Sequence, residues 1–162
     1  MTDVDESDFA VVVYREDNSW EADLLPTRLT QDLDGLVHAL RQQPSRGGTL
    51  GLIAVGDDFF VALRVLGTDV RVFLSDITAA ADWPLAKQVL DLLDLPVPDD
   101  EELDQVLPVG DLSIFADLGV DEMEICALAG DLDLYPDEML SSVATRLGFA
   151  QPFERVLDLA IG

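Results

Sequence analysis

The chain has 162 residues, of which 33 are Asp or Glu and only 9 are Lys or Arg, a formal net charge of −24, yet 49% of it is hydrophobic. So few cations leave little with which to displace counterions from phosphates, so direct binding to DNA or RNA is not expected. The apolar share is large enough to offset chain entropy, which excludes disorder of the whole chain.

Other function classes fall at the same level. Cys126 stands alone, so no intrachain disulfide can form. The opening Met1-Thr2-Asp3-Val4-Asp5-Glu6-Ser7-Asp8 is acidic and polar, unlike a basic and then apolar secretory leader, and residues 1–8 read as a disordered tail. No apolar run approaches the roughly 20 residues that span a bilayer. The expected location is the cytoplasm, with no membrane contact. The charge is uneven: residues 1–87 hold 15 acids and 7 bases, whereas residues 88–162 hold 18 acids against Arg146 and Arg155. Such a surface would attract a basic protein partner. Solubility, or the habit of a lineage that uses one Lys, eight Arg and 24 Asp, is the competing explanation.

Phe9 to Tyr14 is almost continuously apolar, the pattern of a strand buried on both faces. After a turn at Glu16-Asp17-Asn18-Ser19, Trp20, Ala22 and Leu24 alternate with acids as in a half-buried strand. Leu29, Leu33, Leu36, Val37 and Leu40 fall at helical spacing, with Thr30 as the expected N-cap, Asp32 in the first turn and Pro44 as the stop. Ser45-Arg46-Gly47-Gly48 reads as a flexible loop. Leu50 to Val55 predicts a strand, Gly56-Asp57-Asp58 a turn, and Phe59 to Leu66 a second strand running through Gly67-Thr68 into a third at Val70–Leu74. Asp82-Trp83-Pro84 opens a helix whose apolar face is Leu85, Val89, Leu90, Leu92 and Leu93.

This is the order β-β-α-β-β-β-α over residues 9–95. It predicts an α+β fold: an antiparallel sheet of about five strands with helices on one face. By analogy of element order alone it resembles longin-like and roadblock-like domains, which are mostly adaptors. An acidic, proline-containing junction spans 96–104. Residues 105–162 read as an all-helical segment packed on or beside the sheet. Asp111 caps a short helix ended by Gly119. Asp121 and Glu124 form a capping box, Pro136 starts a further helix stopped by Gly148, and Pro152 opens the last. Asp121-Glu122-Met123 recurs as Asp137-Glu138-Met139, two similar helix starts rather than a repeat array.

No motif supplies enzyme chemistry. A zinc deaminase needs His-x-Glu and Pro-Cys-x-x-Cys, but His38 is followed by Ala39-Leu40 and Cys126 has no companion. One His and one Cys cannot make a zinc site. There is no Gly-x-Ser-x-Gly elbow around Ser45 or Ser75, and Gly47-Gly48 is not a P-loop. Asp131-x-Asp133 begins like a calcium loop but continues with Tyr135 and Pro136 where a ligand and glycine belong. His38 reads as a surface residue and Cys126 as a buried thiol. No catalytic residue, cofactor or metal is assigned. The interaction candidates are Asp76 and Asp82, which flank the loop Ile77–Ala81, and the aromatics Trp83 and Tyr135 before prolines at helix starts, with Asp137 and Glu138 alongside. Phe59 and Phe60 are assigned to the core.

Several stretches carry a family likeness. They are Val12-Val13-Tyr14-Arg15-Glu16-Asp17, the run from Phe73-Leu74-Ser75-Asp76 to Asp82-Trp83-Pro84-Leu85-Ala86, Pro108-Val109-Gly110-Asp111-Leu112, Phe115-Ala116-Asp117-Leu118-Gly119, and Leu134-Tyr135-Pro136-Asp137-Glu138-Met139-Leu140. Over roughly residues 9–160 the chain resembles the actinobacterial tRNA adenosine deaminase-associated proteins. The resemblance implies association with the inosine-forming deaminase, by gene neighbourhood above all. It implies no deaminase activity and transfers no catalytic residues. The expectation is a non-catalytic accessory protein with a protein partner. A small-ligand sensor with a pocket near Asp76–Trp83 and a nucleic-acid mimic are the alternatives.

Overall fold

A computed structural model describes residues 8–16, 19–42, 48–56, 58–96, 108–131 and 133–161. Residues 1–7 of the expected acidic tail, the turn tips at 17–18 and 57, the loop 43–47 with Pro44, and the junction from Val97 onward lie outside the described residues, whereas Asp8, expected at the end of that tail, is buried and accepts from the Gly56 amide at 2.5 Å.

The sheet has strands β1 (Phe9–Glu16), β2 (Ser19–Leu24), β3 (Thr49–Val55), β4 (Phe59–Leu66), β5 (Asp69–Leu74) and β6 (Val109–Gly110). Their order is β2-β1-β3-β4-β5-β6, and every neighbouring pair is antiparallel. There are thus six strands rather than about five. The sixth is two residues long, too short to leave an alternating pattern in the sequence.

Strand alternation divides the core in two. Phe9, Val11, Val13, Leu50, Leu52, Ala54, Phe60, Ala62 and Phe73 point to one face. Ala10, Val12, Ile53, Val55, Val61, Leu63, Val72 and Leu74 point to the other. The second face is covered by α1 (Leu33–Arg41) and α2 (Pro84–Leu93). The first is covered by α3 (Glu122–Ala129), α4 (Pro136–Leu147) and α5 (Ala150–Ile161), so the C-terminal helices form a third layer on the sheet. That is why β1, β3 and β4 are apolar at consecutive positions: both faces are dry.

Local chemistry sets the element ends, not always with the expected residue. Asp32, not Thr30, caps α1, accepting from the Gly35 amide at 3.0 Å, while Thr30 is buried in a 3-10 turn over Thr27–Gln31. Gln88 of α2 supplies a second tie that no local pattern announced. Its Oε1 accepts from the Leu33 amide at 2.7 Å and its Nε2 donates to the Gln31 carbonyl at 2.9 Å. Asp121 caps α3 through the Glu124 amide at 2.9 Å, but the Glu124 carboxylate is taken by Arg146 of α4 and does not close a capping box. The two Asp-Glu-Met strings sit at different helical phases: Asp121 is a cap and Met123 is exposed, whereas Asp137 lies inside α4 and Met139 is buried. Leu24 at the end of the edge strand is exposed, outside the alternation assigned to it.

Aromatic rings fasten the last helix. Phe149 contacts Trp20 of β2 at 5.2 Å between centroids, and Phe153 meets Phe9 of β1 edge-on at 6.2 Å. Such pairs add to area burial through favourable ring quadrupole geometry. Cys126 is half-buried against this layer, less enclosed than its apolar neighbours suggest.

Candidate functional site

At the rim where β4 begins and β5 ends, Ser75 stitches the strands together. Its amide donates to the Phe60 carbonyl at 3.1 Å, and its Oγ accepts from the Phe60 amide at 2.9 Å. Asp76 follows and turns the chain, Oδ1 accepting from the Thr78 amide at 3.0 Å and the Thr78 hydroxyl at 2.7 Å. Across from it, α3 gives way to α4. Asp131 Oδ1 accepts from the Asp133 amide at 2.9 Å, and Glu138 Oε1 accepts from the Tyr135 amide at 3.0 Å. Pro136 at the first helical position needs no such acceptor.

Between these two corners lies a cavity of about 200 Å³. The sheet contributes Asp58, Phe59, Ser75 and Asp76; the helical layer contributes Asp131, Leu134, Tyr135 and Met139 among others. Pockets that enclose drug-sized ligands run roughly 300–1,000 Å³, so this one suits a fragment of a molecule, not a nucleotide.

The candidates assigned from sequence divide here. Asp76 and Tyr135 line the same cavity, brought together from distant parts of the chain. Trp83 lies one ring behind it, 6.3 Å from Phe59 between centroids and half-buried against the α1–α2 layer. Asp82 is exposed and closes the 3-10 turn Ile77–Ala81 through its backbone amide to the Ala79 carbonyl at 3.1 Å. Asp137 and Glu138 occupy the first turn of α4, where carboxylates favour the helix dipole, and do not line the cavity. Phe59 and Phe60 are fully buried as assigned. The local sequence marks Asp131 only as the start of a failed calcium loop; that it lines one cavity with Asp76 depends on long-range packing and leaves no local signal.

A larger open groove of about 630 Å³ runs between α1 and α2, with Val37, His38 and Arg41 on one side and Gln88, Asp91 and Leu92 on the other. His38 is exposed there, on the far side of the sheet from the C-terminal helices. Among the described residues no three His, Cys, Asp or Glu side chains cluster as metal ligands.

Two arginine–aspartate pairs hold the segment after β6. Arg64 and Arg71 face each other across β4 and β5, a like-charge pairing that needs neutralising. Arg64 donates to both carboxylate oxygens of Asp117, at 2.6 and 2.9 Å, and to the Ile114 carbonyl at 3.0 Å. Arg71 binds Asp111 and the Ser113 carbonyl. Burial pushes the Asp111 carboxyl up, but bonds from Arg71 and Ser113 outweigh it and hold the group below the usual carboxylate range. The hydrogen bonds from Arg64 lower Asp117 as well, and the bond to Asp111 raises Arg71. This cluster is structural in geometry: each charge is directed at a backbone corner or at its opposite.

The family model of the Rv3753c-like tRNA adenosine deaminase-associated proteins matches residues 8–150. Protein Rv3753c of Mycobacterium tuberculosis (strain ATCC 25618 / H37Rv) is 36% identical over 152 residues, which cover 93% of this chain and 87% of that protein. No solved structure matches.

Proposed function

The chain belongs to the Rv3753c-like tRNA adenosine deaminase-associated protein family, and from that membership we propose that it is a non-catalytic acidic accessory protein that docks on the tRNA adenosine deaminase. The family description supplies the association. The charge of the C-terminal layer supplies the chemistry and carries the reading: residues 108–161 hold eleven carboxylates against Arg146 and Arg155, and Arg146 is already engaged by Glu124. A face of this kind steers a basic protein surface towards itself and repels bare RNA.

The non-catalytic part of the reading is supported by dispersal. Ser75 lies at the sheet rim, His38 on α1 across the sheet and Cys126 on α3, so among the described residues neither the Ser75 hydroxyl nor the Cys126 thiol has the histidine beside it. Calorimetric titration of the purified chain into the purified deaminase, with a parallel deamination assay on tRNA, tests the whole reading. The expected result is a complex that weakens as NaCl rises from low to moderate concentration, because screening shortens the reach of exposed charges. No complex at low salt together with unchanged deamination would refute it.

A further inference from the structure

We infer that the cavity between Asp76 and Tyr135 receives the cationic end of a basic side chain, an arginine or lysine presented by a protein partner. The inference rests on the accessory reading only for where that side chain comes from; the chemistry of the cavity stands by itself.

Size is the first argument. About 200 Å³ holds one long side chain and is smaller than the pockets that enclose drug-sized ligands. Wall chemistry is the second. Phe59, Leu134 and Met139 offer apolar surface, which the methylene stem of Arg or Lys covers well while its head stays polar. Charge is the third. Asp76, just past the end of β5, and Asp131, just past the end of α3, both line the cavity. Each spends Oδ1 on its own turn, and neither Oδ2 has a hydrogen bond among the described residues. A guanidinium reaching in would find two carboxylate acceptors. The fourth argument is Tyr135. Its side chain stands at the rim of the cavity with the residue 57% exposed, an aromatic face open to a cation. Among the described residues no lysine or arginine lines the space, and Asp76 and Asp131 keep their second oxygens for a ligand. A phosphate or carboxylate ligand would meet repulsion from Asp76 and Asp131 and is disfavoured by the same wall.

The test uses the full chain, labelled with nitrogen-15, titrated with N-acetyl-arginine amide and, as control, N-acetyl-alanine amide. Saturable shifts of the Phe59, Asp76, Leu134 and Tyr135 amides are expected with the first probe alone. The D76N/D131N double variant keeps the acceptor oxygens that Thr78 and Asp133 use, so its thermal transition should stay near the wild type while probe affinity falls at least about tenfold. Should that variant unfold, Tyr135→Ala serves instead. It alters one exposed ring and should weaken the probe several-fold, with Tyr135→Phe restoring it. Shifts scattered over the whole acidic surface, or equal affinity in wild type and variant, would overturn the inference. So would a tenfold preference for putrescine, which would make the occupant a free amine. A deaminase that binds wild type and D76N/D131N equally well also overturns it. If the arginine probe seats in the cavity but the deaminase does not bind the chain at all, the cavity assignment holds and the accessory reading fails.

Discussion

Gly110 closes the sheet at its far edge, and only glycine can stand there. Its φ is +109°, and a Cβ would lie 2.3 Å from the Val72 carbonyl oxygen and 3.1 Å from the Phe73 Cα. Neither obstacle is the movable end of a side chain. Gly110→Ala is therefore expected to lower stability by about 2–3 kcal/mol, from strain plus displacement of β6. Gly67, in the β4–β5 turn, is the control: φ is +60° but nothing lies within 4 Å of the missing Cβ, so alanine costs only about 1 kcal/mol of left-handed strain. Urea unfolding of the two variants measures the contrast, and equal midpoints would contradict it. Both glycines are visible in the sequence, but only Gly67 could be placed from it, because a turn is local and the collision with Val72 is not.

At the scale of elements, the segment Asp111–Asp117 is held to the sheet by the paired arginines of β4 and β5. Both carboxyls sit below their ordinary range in the folded protein. A depressed folded value means stability that is present above the unfolded value, about 3.9 for Asp, and lost as pH falls through the lower folded value. The wild type should thus exceed an Asp111→Asn/Asp117→Asn variant by about 1 kcal/mol near neutrality, a modest figure because Asp117 is more than half open to water. The gap should persist to about pH 5 and close below about pH 4. Denaturant titrations at pH 7, 5 and 3 follow it; a gap that stays constant to pH 3 would show that the loss came from shape and not from charge. Arg64 and Arg71 occupy positions where strand alternation would put inward-facing residues, and the sequence offered no reason for two inward cations. The reason is the acidic segment that reaches them from beyond the junction.

For the molecule as a whole, a net charge of −24 makes the folded state repel itself. Neutral salt should therefore stabilise it, unlike a protein held by surface ion pairs. Raising NaCl from about 10 mM to about 0.5 M shortens the Debye length from roughly 30 Å to a few ångströms. A gain near 1 kcal/mol is expected, a rise in Tm of roughly 2–4 °C for a chain of this size. A scanning calorimetry series checks it, and a falling Tm would mean that the ion pairs at Arg64, Arg71 and Arg146 outweigh the general repulsion. The same salt that steadies the fold should loosen a basic partner, which separates the two effects in one buffer series.

The sequence by itself determined five of the six strands, the hairpin, the starts of α2, α3 and α4, and the family. Alternation, helical spacing, prolines and capping carboxylates record each element's own burial and ends, and the family is carried by contiguous motifs. Only the tertiary structure decided what each apolar face meets. It laid α3–α5 on the face of the sheet that α1 and α2 leave open, added β6 at the edge, turned Glu124 towards Arg146 and brought Asp76 and Asp131 to one cavity. A helix's periodicity says that one side must be buried but not against which neighbour, and two carboxylates far apart in the chain share a cavity only once packing has brought their corners together.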